Sequence, residues 1–289
     1  MYILHLVMKI KPLKTSDLCK TLKLNYIGKN LLINGFNNID NLKKNELGFS
    51  NYSNKKNCVI ITNKQIKVSN QTKIFSKNPR LDFCRALKIF EEKKLLIIDI
   101  KKNHIDKTST INGNIDGENI FIGKNTIIEK NAVIKSNVKI GNNCIIRSGS
   151  IIGGDGFGFE RFGNEIIRFS HWGGVEIKNH VEIGYNSCVD KGTLSDTIID
   201  SYTKIDNQVH IGHNVKIGKR NLITAHVQVA GSVTIGNNCF ISPSASIANK
   251  VKILDNCFVG IGSIVVKDLN KNSRVFGNPA KNLKLFKKN

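Results

Sequence analysis

KIDNQVHIGHNVKIGKRNLITAHVQVAGSVTIGNNCFI, residues 204–241, has an aliphatic side chain at every sixth position. The same spacing runs without a break from Ile199 to Val265, and upstream over 122–152 and 177–189. A period of six fits neither the 3.6-residue helix nor the two-residue strand. A fixed hexapeptide repeat with one aliphatic residue is typical of a parallel β-helix, whose coils each take about 18 residues.

A second position in the repeat supports this fold. The residue four after each aliphatic is mostly small, as expected of a side chain that points into a narrow prism: Thr126, Ala132, Cys144, Ser150, Val215, Cys239, Ala245, Cys257. The sequence therefore predicts a mainly β protein whose coils stack about 4.8 Å apart.

Composition limits the class of protein. The 289 residues are 40% hydrophobic, but no apolar run approaches the roughly 20 residues of a membrane span. The first residues, MYILHLVMKIK, are too short for a signal peptide, and Met8 is an equally good start. The seven cysteines form no CxxC, and three occupy the small position, which favours inert packing groups in a reducing cytoplasm. No metal spacing, P-loop or dinucleotide fingerprint is present, so no metal or redox cofactor is expected.

The formal net charge of +22 allows several interpretations. A biased Lys and Asn content without function is one, and a surface for an acidic protein partner or an anionic membrane face is another. Nucleic-acid binding is disfavoured because the lysines are dispersed and aromatic residues are not interleaved with them.

Patterning divides the chain into three parts. Residues 9–98 lack the six-residue period and predict a small α/β domain. Its expected elements are a helix in KTSDLCKTLKL capped by Ser16 or Thr15, strands in LLINGF (31–36), CVIITN (58–63) and IKVSN (66–70), and a helix from Asn78 with Cys84 and Phe90 on its apolar face. The β-helix is predicted over 103–267, and 268–289 form a short basic tail.

Two segments interrupt the β-helix. Residues 153–174 contain the only Trp and four Phe among many glycines, which indicates a loop folded against something apolar. That loop either fills a groove of a neighbouring subunit or binds a ligand. The second interruption, DKGTLSD, adds four residues between Val189 and Ile199.

Three motifs give a family resemblance. IRSGSIIGGDGFGF (146–159), VEIGYNSCVDKGTLSDTIID (181–200) and IDNQVHIGHNVKIG (205–218) resemble the UDP-3-O-(3-hydroxyacyl)glucosamine N-acyltransferases of lipid A synthesis. LGFSNYSNKK (47–56) and KNPRLDFCRAL (77–87) resemble the uridine-binding domain of that family. The resemblance implies a left-handed β-helix, a homotrimer with active sites between the prisms, an acyl carrier protein partner and a UDP-amino-sugar substrate. It implies no bound cofactor, since the donor carries its own phosphopantetheine.

The resemblance also implies site residues. His213 matches the general base, and Gly231, one coil of 18 residues further on, matches the glycine whose N–H faces the oxyanion. Asp206 matches the acidic residue beside the base, where a carboxylate would fix the imidazole tautomer. His210 and His226 have no comparable support.

Other matches concern substrate binding. Asn207 and Gln208 follow Asp206 in IDNQ, and Phe49, with Tyr52 and Asn51, matches the uridine pocket in part. Lys250, in IANKVKI, stands where the family usually has a second histidine, and it can bind phosphate as a point charge.

Alternatives stay open at this point. The ending FGNPAKNLK resembles nucleotide-sugar acetyltransferases that use acetyl-CoA, and the family's C-terminal helices are not recognisable. A non-catalytic β-helix binding module is the third interpretation.

Overall fold

The computed structural model describes residues 8–50, 55–63 and 70–282, and the side chain of residue 282 is not part of that description. The chain divides into two compact units. One contains the described residues of segments 5–99 and 158–172, and the other contains those of 100–157 and 173–289.

The first unit is a mixed sheet with two helices. Its elements before residue 99 are β1 (Lys9–Lys14), α1 (Thr15–Leu22), β2 (Tyr26–Ile27), β3 (Leu32–Phe36), β4 (Glu46–Phe49), β5 (Val59–Thr62), β6 (Thr72–Phe75), α2 (Pro79–Glu92) and β7 (Leu96–Ile97). The sheet order is β2-β6-β5-β4-β3-β1-β7. Strands β3 to β6 run parallel, whereas β1, β2 and β7 pair antiparallel.

Most predicted elements of this unit are confirmed, with one correction. Helix α2 begins after Asn78, whose side chain accepts a hydrogen bond from the Leu81 N–H, and Cys84 and Phe90 are buried. The expectation that Ser16 or Thr15 caps α1 is wrong. Lys14 holds the N-cap position without a side-chain bond, and the Thr15 hydroxyl donates to the Leu31 carbonyl (3.0 Å). Most of the predicted strand 66–70 lies outside the described residues.

The second unit is a β-helix with three parallel sheets, which we call faces 1, 2 and 3. One turn of the chain around all three is a rung. The strands of face 1 are β8 (His104–Ile105), β11 (Phe121–Ile122), β14 (Val138–Ile140), β19 (Val175–Ile177), β22 (Thr197–Ile199), β25 (Lys216–Ile217), β28 (Thr234–Ile235) and β31 (Lys252–Ile253).

Faces 2 and 3 follow in turn along the chain. Face 2 contains β9 (Thr110–Ile111), β12 (Ile127–Ile128), β15 (Ile145–Ile146), β20 (Glu182–Ile183), β23 (Lys204–Ile205), β26 (Leu222–Ile223), β29 (Phe240–Ile241), β32 (Phe258–Val259), β34 (Arg274–Phe276) and the antiparallel β35 (Lys281–Asn282). Face 3 contains β10 (Asn114–Asp116), β13 (Val133–Lys135), β16 (Ile151–Gly154), β21 (Cys188–Asp190), β24 (His210–Ile211), β27 (Gln228–Val229), β30 (Ser246–Ile247) and β33 (Ile264–Val265). Each edge takes the numbers of the faces that it joins.

The core confirms the six-residue pattern. In each two-residue strand from β20 to β33 the first residue faces out and the second, aliphatic one is buried. The small position also points inward, as at Thr126, Ser150 and Cys239. At the edges the residue before the small one has a positive φ, and asparagine often occupies it, for example Asn125 (53°) and Asn214 (62°). Asparagine tolerates this left-handed conformation better than most residues.

The aromatic segment forms a hairpin in the first unit. Strands β17 (Phe159–Phe162) and β18 (Glu165–Arg168) pair antiparallel. Phe169 lies 6.0 Å from Phe83, and Trp172 lies 6.1 Å from Phe36, between ring centroids. The expected apolar partner is therefore the sheet and helix of the same chain. Neither a neighbouring subunit nor a ligand is needed to account for these rings.

The cysteines are packing groups, as predicted. All seven are free, and all but the half-buried Cys188 are buried. Burial raises the pKa of Cys19 and of Cys239 to about 11, which keeps these thiols protonated near neutral pH. No helix in the described part of the chain is long and apolar enough to cross a membrane.

Candidate active site

His213 lies at the 3–1 edge, two residues after the buried Ile211 of β24. Ile211 pairs with Val229 of the next rung, so Gly231 stands directly beside His213. The Ser232 N–H donates to the His213 carbonyl (2.8 Å). A Cβ added at Gly231 would lie 2.6 Å from His213 Nε2 and 2.7 Å from Cε1. The two residues are thus neighbours, as the 18-residue spacing predicts, and only glycine leaves room for the ring.

The Gly231 N–H is available to a ligand. At the 1–2 edge the equivalent amides are capped: the Lys219 N–H donates to Asn237 Oδ1 (2.8 Å), and the Asn237 N–H donates to Asp255 Oδ1 (2.7 Å). Among the described residues the Gly231 N–H has no such acceptor, because Asn249 on the next rung donates its amide to the Gly231 carbonyl (2.7 Å). A backbone donor beside an imidazole, with no acceptor among the described residues, is suited to stabilising an oxyanion.

Both interruptions of the repeat fall at the same edge as His213. The chain passes from face 3 to face 1 through residues 155–174 after β16 and through 191–196 after β21, on the two rungs before the His213 rung. The two turns are joined, because Lys191 Nζ lies 2.6 Å from Asp155 Oδ1 and the Gly192 N–H donates to the Gly174 carbonyl (3.1 Å). The 3–1 edge is therefore the place where the turns are longer than the six-residue repeat requires.

Asn214 connects His213 to the second interruption. Its Oδ1 lies 2.9 Å from His213 Nδ1 and accepts hydrogen bonds from the Thr193 N–H (3.2 Å) and hydroxyl (2.8 Å). Its Nδ2 donates to the Ser195 carbonyl (3.1 Å) and hydroxyl (3.0 Å). Asn214 belongs to the motif IDNQVHIGHNVKIG, but the sequence alone assigns it no role.

Asp190, the last residue of β21, lies at this edge. Burial raises its pKa to about 6, while the nearby His213 lowers it and Asp155 raises it. His210 Nε2 lies 3.6 Å from Asp190 Oδ2, and burial lowers the pKa of His210. The sequence motifs did not point to Asp190. The structure brings it near the His213 turn, because the preceding residue, Val189, pairs with Ile211 of the His213 rung.

Within one chain, Asp206 and His213 lie at different edges of the β-helix. Asp206 follows β23 and lies exposed at the 2–3 edge, while His213 lies at the next edge of the same rung. Asp206 cannot pair with His213 of its own chain, because strand β24 separates their turns. Asp206 and Asn207 instead line an open cavity of about 480 Å³ with Tyr185 and Phe240. The Tyr185 N–H donates to Asn207 Oδ1 (2.8 Å), and the Gln208 N–H donates to the Tyr185 carbonyl (2.8 Å).

The remaining predicted residues lie in three places. Lys250 lies exposed at the 3–1 edge, two rungs beyond His213, and its N–H donates to the Gly231 carbonyl (3.1 Å). Phe49 ends β4, and its ring packs 4.9 Å from that of Phe83. Tyr52 and Asn51 lie outside the described residues. No cluster of three His, Cys, Asp or Glu side chains suited to a metal occurs in the described ranges.

Known proteins resemble parts of this chain. Residues 119–154 match the family model of the bacterial transferase hexapeptide (six repeats). Over these residues the chain is similar to bacterial transferases of the hexapeptide-repeat type. The fold predicted from the six-residue period is confirmed by this match and by the three stacked faces.

Two curated relatives match a longer part of the chain. It is 49% identical over 87 residues to UDP-3-O-acylglucosamine N-acyltransferase 2 of Legionella pneumophila strain Lens, covering 30% of this chain and 25% of the relative. It is 46% identical over 84 residues to UDP-3-O-acylglucosamine N-acyltransferase of Verminephrobacter eiseniae, covering 29% and 26%. The chain thus spans about a quarter of the length of these relatives. The predicted resemblance is confirmed over that stretch.

A solved structure matches over a longer range. UDP-N-acetylglucosamine O-acyltransferase from Moraxella catarrhalis superimposes with a TM-score of 0.58 at 28% identity, over 65% of this chain and 72% of that chain. The two chains therefore share a fold over that range.

Proposed function

We propose that this protein is an N-acyltransferase of lipid A biosynthesis. It transfers a 3-hydroxyacyl group from acyl carrier protein to the 2-amine of UDP-3-O-acylglucosamine. The observation that carries the proposal is the placement of His213 Nε2 beside the unpaired Gly231 N–H. A base and an oxyanion donor within reach of one reacting carbonyl are what acyl transfer requires. The names of the relatives supply the substrate class.

The chemical step uses these two groups. The amine nitrogen attacks the thioester carbonyl carbon, His213 Nε2 takes the amine proton, and the Gly231 N–H stabilises the oxyanion. Collapse forms the amide, breaks the C–S bond, and releases a thiol that receives the proton. Positioned general-base catalysis contributes about 10²–10⁴-fold, and one oxyanion donor about 10²–10³-fold.

The complete site forms between copies of the chain in a homotrimer. His213, Gly231 and Lys250 lie at the 3–1 edge, whereas Asp206, Asn207 and Gln208 lie at the 2–3 edge. Because both sets resemble site residues of one family, the simplest arrangement brings the 2–3 edge of one copy to the 3–1 edge of the next. Asp206 would then approach His213 from the neighbouring subunit.

The donor and the nucleotide use the remaining residues. The protein holds no cofactor of its own, and the phosphopantetheine arrives with the carrier protein. The exposed Lys250 ammonium can bind its phosphate. Phe49, Tyr52 and Asn51 are proposed for the uridine of the acceptor. The reaction takes place in the cytoplasm, where charged carrier protein and UDP-sugars are available.

A donor competition tests this function. Purified protein is incubated with UDP-3-O-acylglucosamine and either 3-hydroxyacyl carrier protein or acetyl-CoA, and the product is identified by mass spectrometry. His213→Ala should abolish turnover and leave the oligomer intact. His180→Asn is the matched control, because His180 lies at the 1–2 edge with a φ of 60° that asparagine tolerates.

Each outcome has a meaning. An acyl product from the carrier protein supports the proposal, and an acetyl product alone indicates a nucleotide-sugar acetyltransferase. A folded trimer that forms neither product overturns the enzymatic proposal in favour of a binding module.

A further inference from the structure

The side-chain amide of Asn214 is held from both ends by the segment 191–196. The Ser195 carbonyl oxygen can only accept a hydrogen bond, so the atom that lies 3.1 Å from it is the Asn214 NH₂ group. The Thr193 backbone N–H can only donate a hydrogen bond, so the atom that lies 3.2 Å from its nitrogen is the side-chain oxygen Oδ1 of Asn214. These two backbone contacts determine the orientation of the amide independently of each other.

That orientation decides which imidazole nitrogen carries the proton. Asn214 Oδ1 lies 2.9 Å from His213 Nδ1, and an amide oxygen can only accept. A hydrogen bond between them requires a proton on Nδ1. In the neutral ring the other nitrogen, Nε2, then carries the lone pair. Nε2 is also the ring atom nearest the Cβ position of Gly231, at 2.6 Å.

We infer that Asn214 is a positioning residue that holds neutral His213 in its Nδ1–H tautomer and directs the Nε2 lone pair toward the space beside Gly231. The interruption 191–196 supplies Thr193 and Ser195, the two residues that hold the Asn214 amide. The assignment of proton transfer to Nε2 rests on the proposed function, but the tautomer does not.

Charged groups surround the ring without replacing the amide. Asp190 lies on the preceding rung, 3.6 Å from His210 on the His213 rung, and Lys191 is paired with Asp155. Lys250 lies exposed two rungs beyond. Asn214 is the neutral group in contact with Nδ1, so it determines which nitrogen carries the proton in the neutral ring.

The first test reads the tautomer directly. The full chain is labelled with ¹⁵N-histidine, and nitrogen shifts are recorded at a pH where the rings are neutral. His213→Gln identifies the His213 signals by their loss. We expect a protonated, pyrrole-type Nδ1 and an unprotonated, pyridine-type Nε2. The reverse pattern in the wild-type protein would overturn the inference, whether or not acyl transfer is observed.

The second test removes the amide. Asn214→Ala should give a mixture of His213 tautomers. It should lower kcat by roughly 10-fold or more and leave KM little changed. The loss should be smaller than the factor of about 10²–10⁴ that removal of a general base causes. Thr193→Val should cause a smaller change of the same kind. Asn238→Ala is the matched control, because Asn238 occupies the same turn position with a φ of 56° against 62° at Asn214.

The two arms separate the possible failures. If Asn214→Ala keeps both the wild-type tautomer and the wild-type rate, the inference is wrong. If it loses no more activity than Asn238→Ala, the effect is one of backbone strain and the inference is again wrong. If no variant transfers an acyl group but the wild-type ring is Nδ1–H, the proposed function fails and the positioning role of Asn214 stands.

Discussion

Replacing Gly231 with alanine would place a methyl group in the space that the His213 ring occupies. The new carbon would lie 2.6 Å from Nε2, and ordinary van der Waals contact begins at 3.4 Å, so the ring must retreat by 3.4 − 2.6 = 0.8 Å. Misplacement of a catalytic group by about 1 Å costs about 10²-fold in rate. We therefore expect Gly231→Ala to lower kcat/KM by about 10²-fold, although the residue 231 N–H is retained.

The assay is acyl transfer at low acceptor concentration, with oligomer and unfolding measurements on the same samples. If the ring cannot move, overpacking should destabilise the fold by about 1–3 kcal/mol. Gly154→Ala is the steric control, since a Cβ there meets only Ile151 Cγ2 at 3.8 Å. A folded Gly231→Ala protein with kcat/KM within threefold of wild type would refute the geometry on which the mechanism depends.

Three further predictions concern stability and reactivity. Burial raises the pKa of Asp190 from its ordinary 3.8 to about 6, so its ionisation opposes folding: the stability it contributes is complete below pH 3.8 and lost as the pH rises through 6. Asp190→Asn should therefore match wild type in urea unfolding at pH 4 and exceed it by about 1 kcal/mol at pH 8, after solvent screening; a difference independent of pH would contradict this. Ile241→Ala in β29 removes a fully buried side chain and should cost about 2–5 kcal/mol in the free energy of unfolding, so a loss below about 0.5 kcal/mol would be inconsistent with the core described. Alkylation at pH 8 should label Cys188 before Cys19 and Cys239, as mass spectrometry of peptides can check, and early labelling of Cys239 would disagree with its burial.

The β-helix was predictable because every rung imposes the same steric requirement. Each aliphatic residue of the period points into the prism, so the pattern repeats often enough to exclude other structures. The first unit was less accessible to prediction, since strands such as β2 and β7 contain two residues and carry no period. Thr15 looked like a cap from its residue type, but its hydroxyl is engaged by the Leu31 carbonyl, a contact remote in sequence.

The site was predictable only where the repeat is unbroken. His213 and Gly231 are separated by one uninterrupted rung, and the structure brings them together as predicted. The preceding rung is longer, because Val189 pairs with Ile211, which lies 22 residues further along the chain. Counting back 18 residues from His213 reaches Ser195 and misses Asp190. Asp206 and His213 are close in sequence but lie at different edges of one chain, because strand β24 lies between them.

The lengthened turns at the 3–1 edge leave the strands around them in register: Ile152 still pairs with Val189, and Val189 with Ile211. A β-helix can therefore accept new residues at a corner while its interior stays unchanged. The buried aliphatic positions thus preserve the scaffold, while the extra residues 191–196 supply the groups that hold the Asn214 amide at the corner.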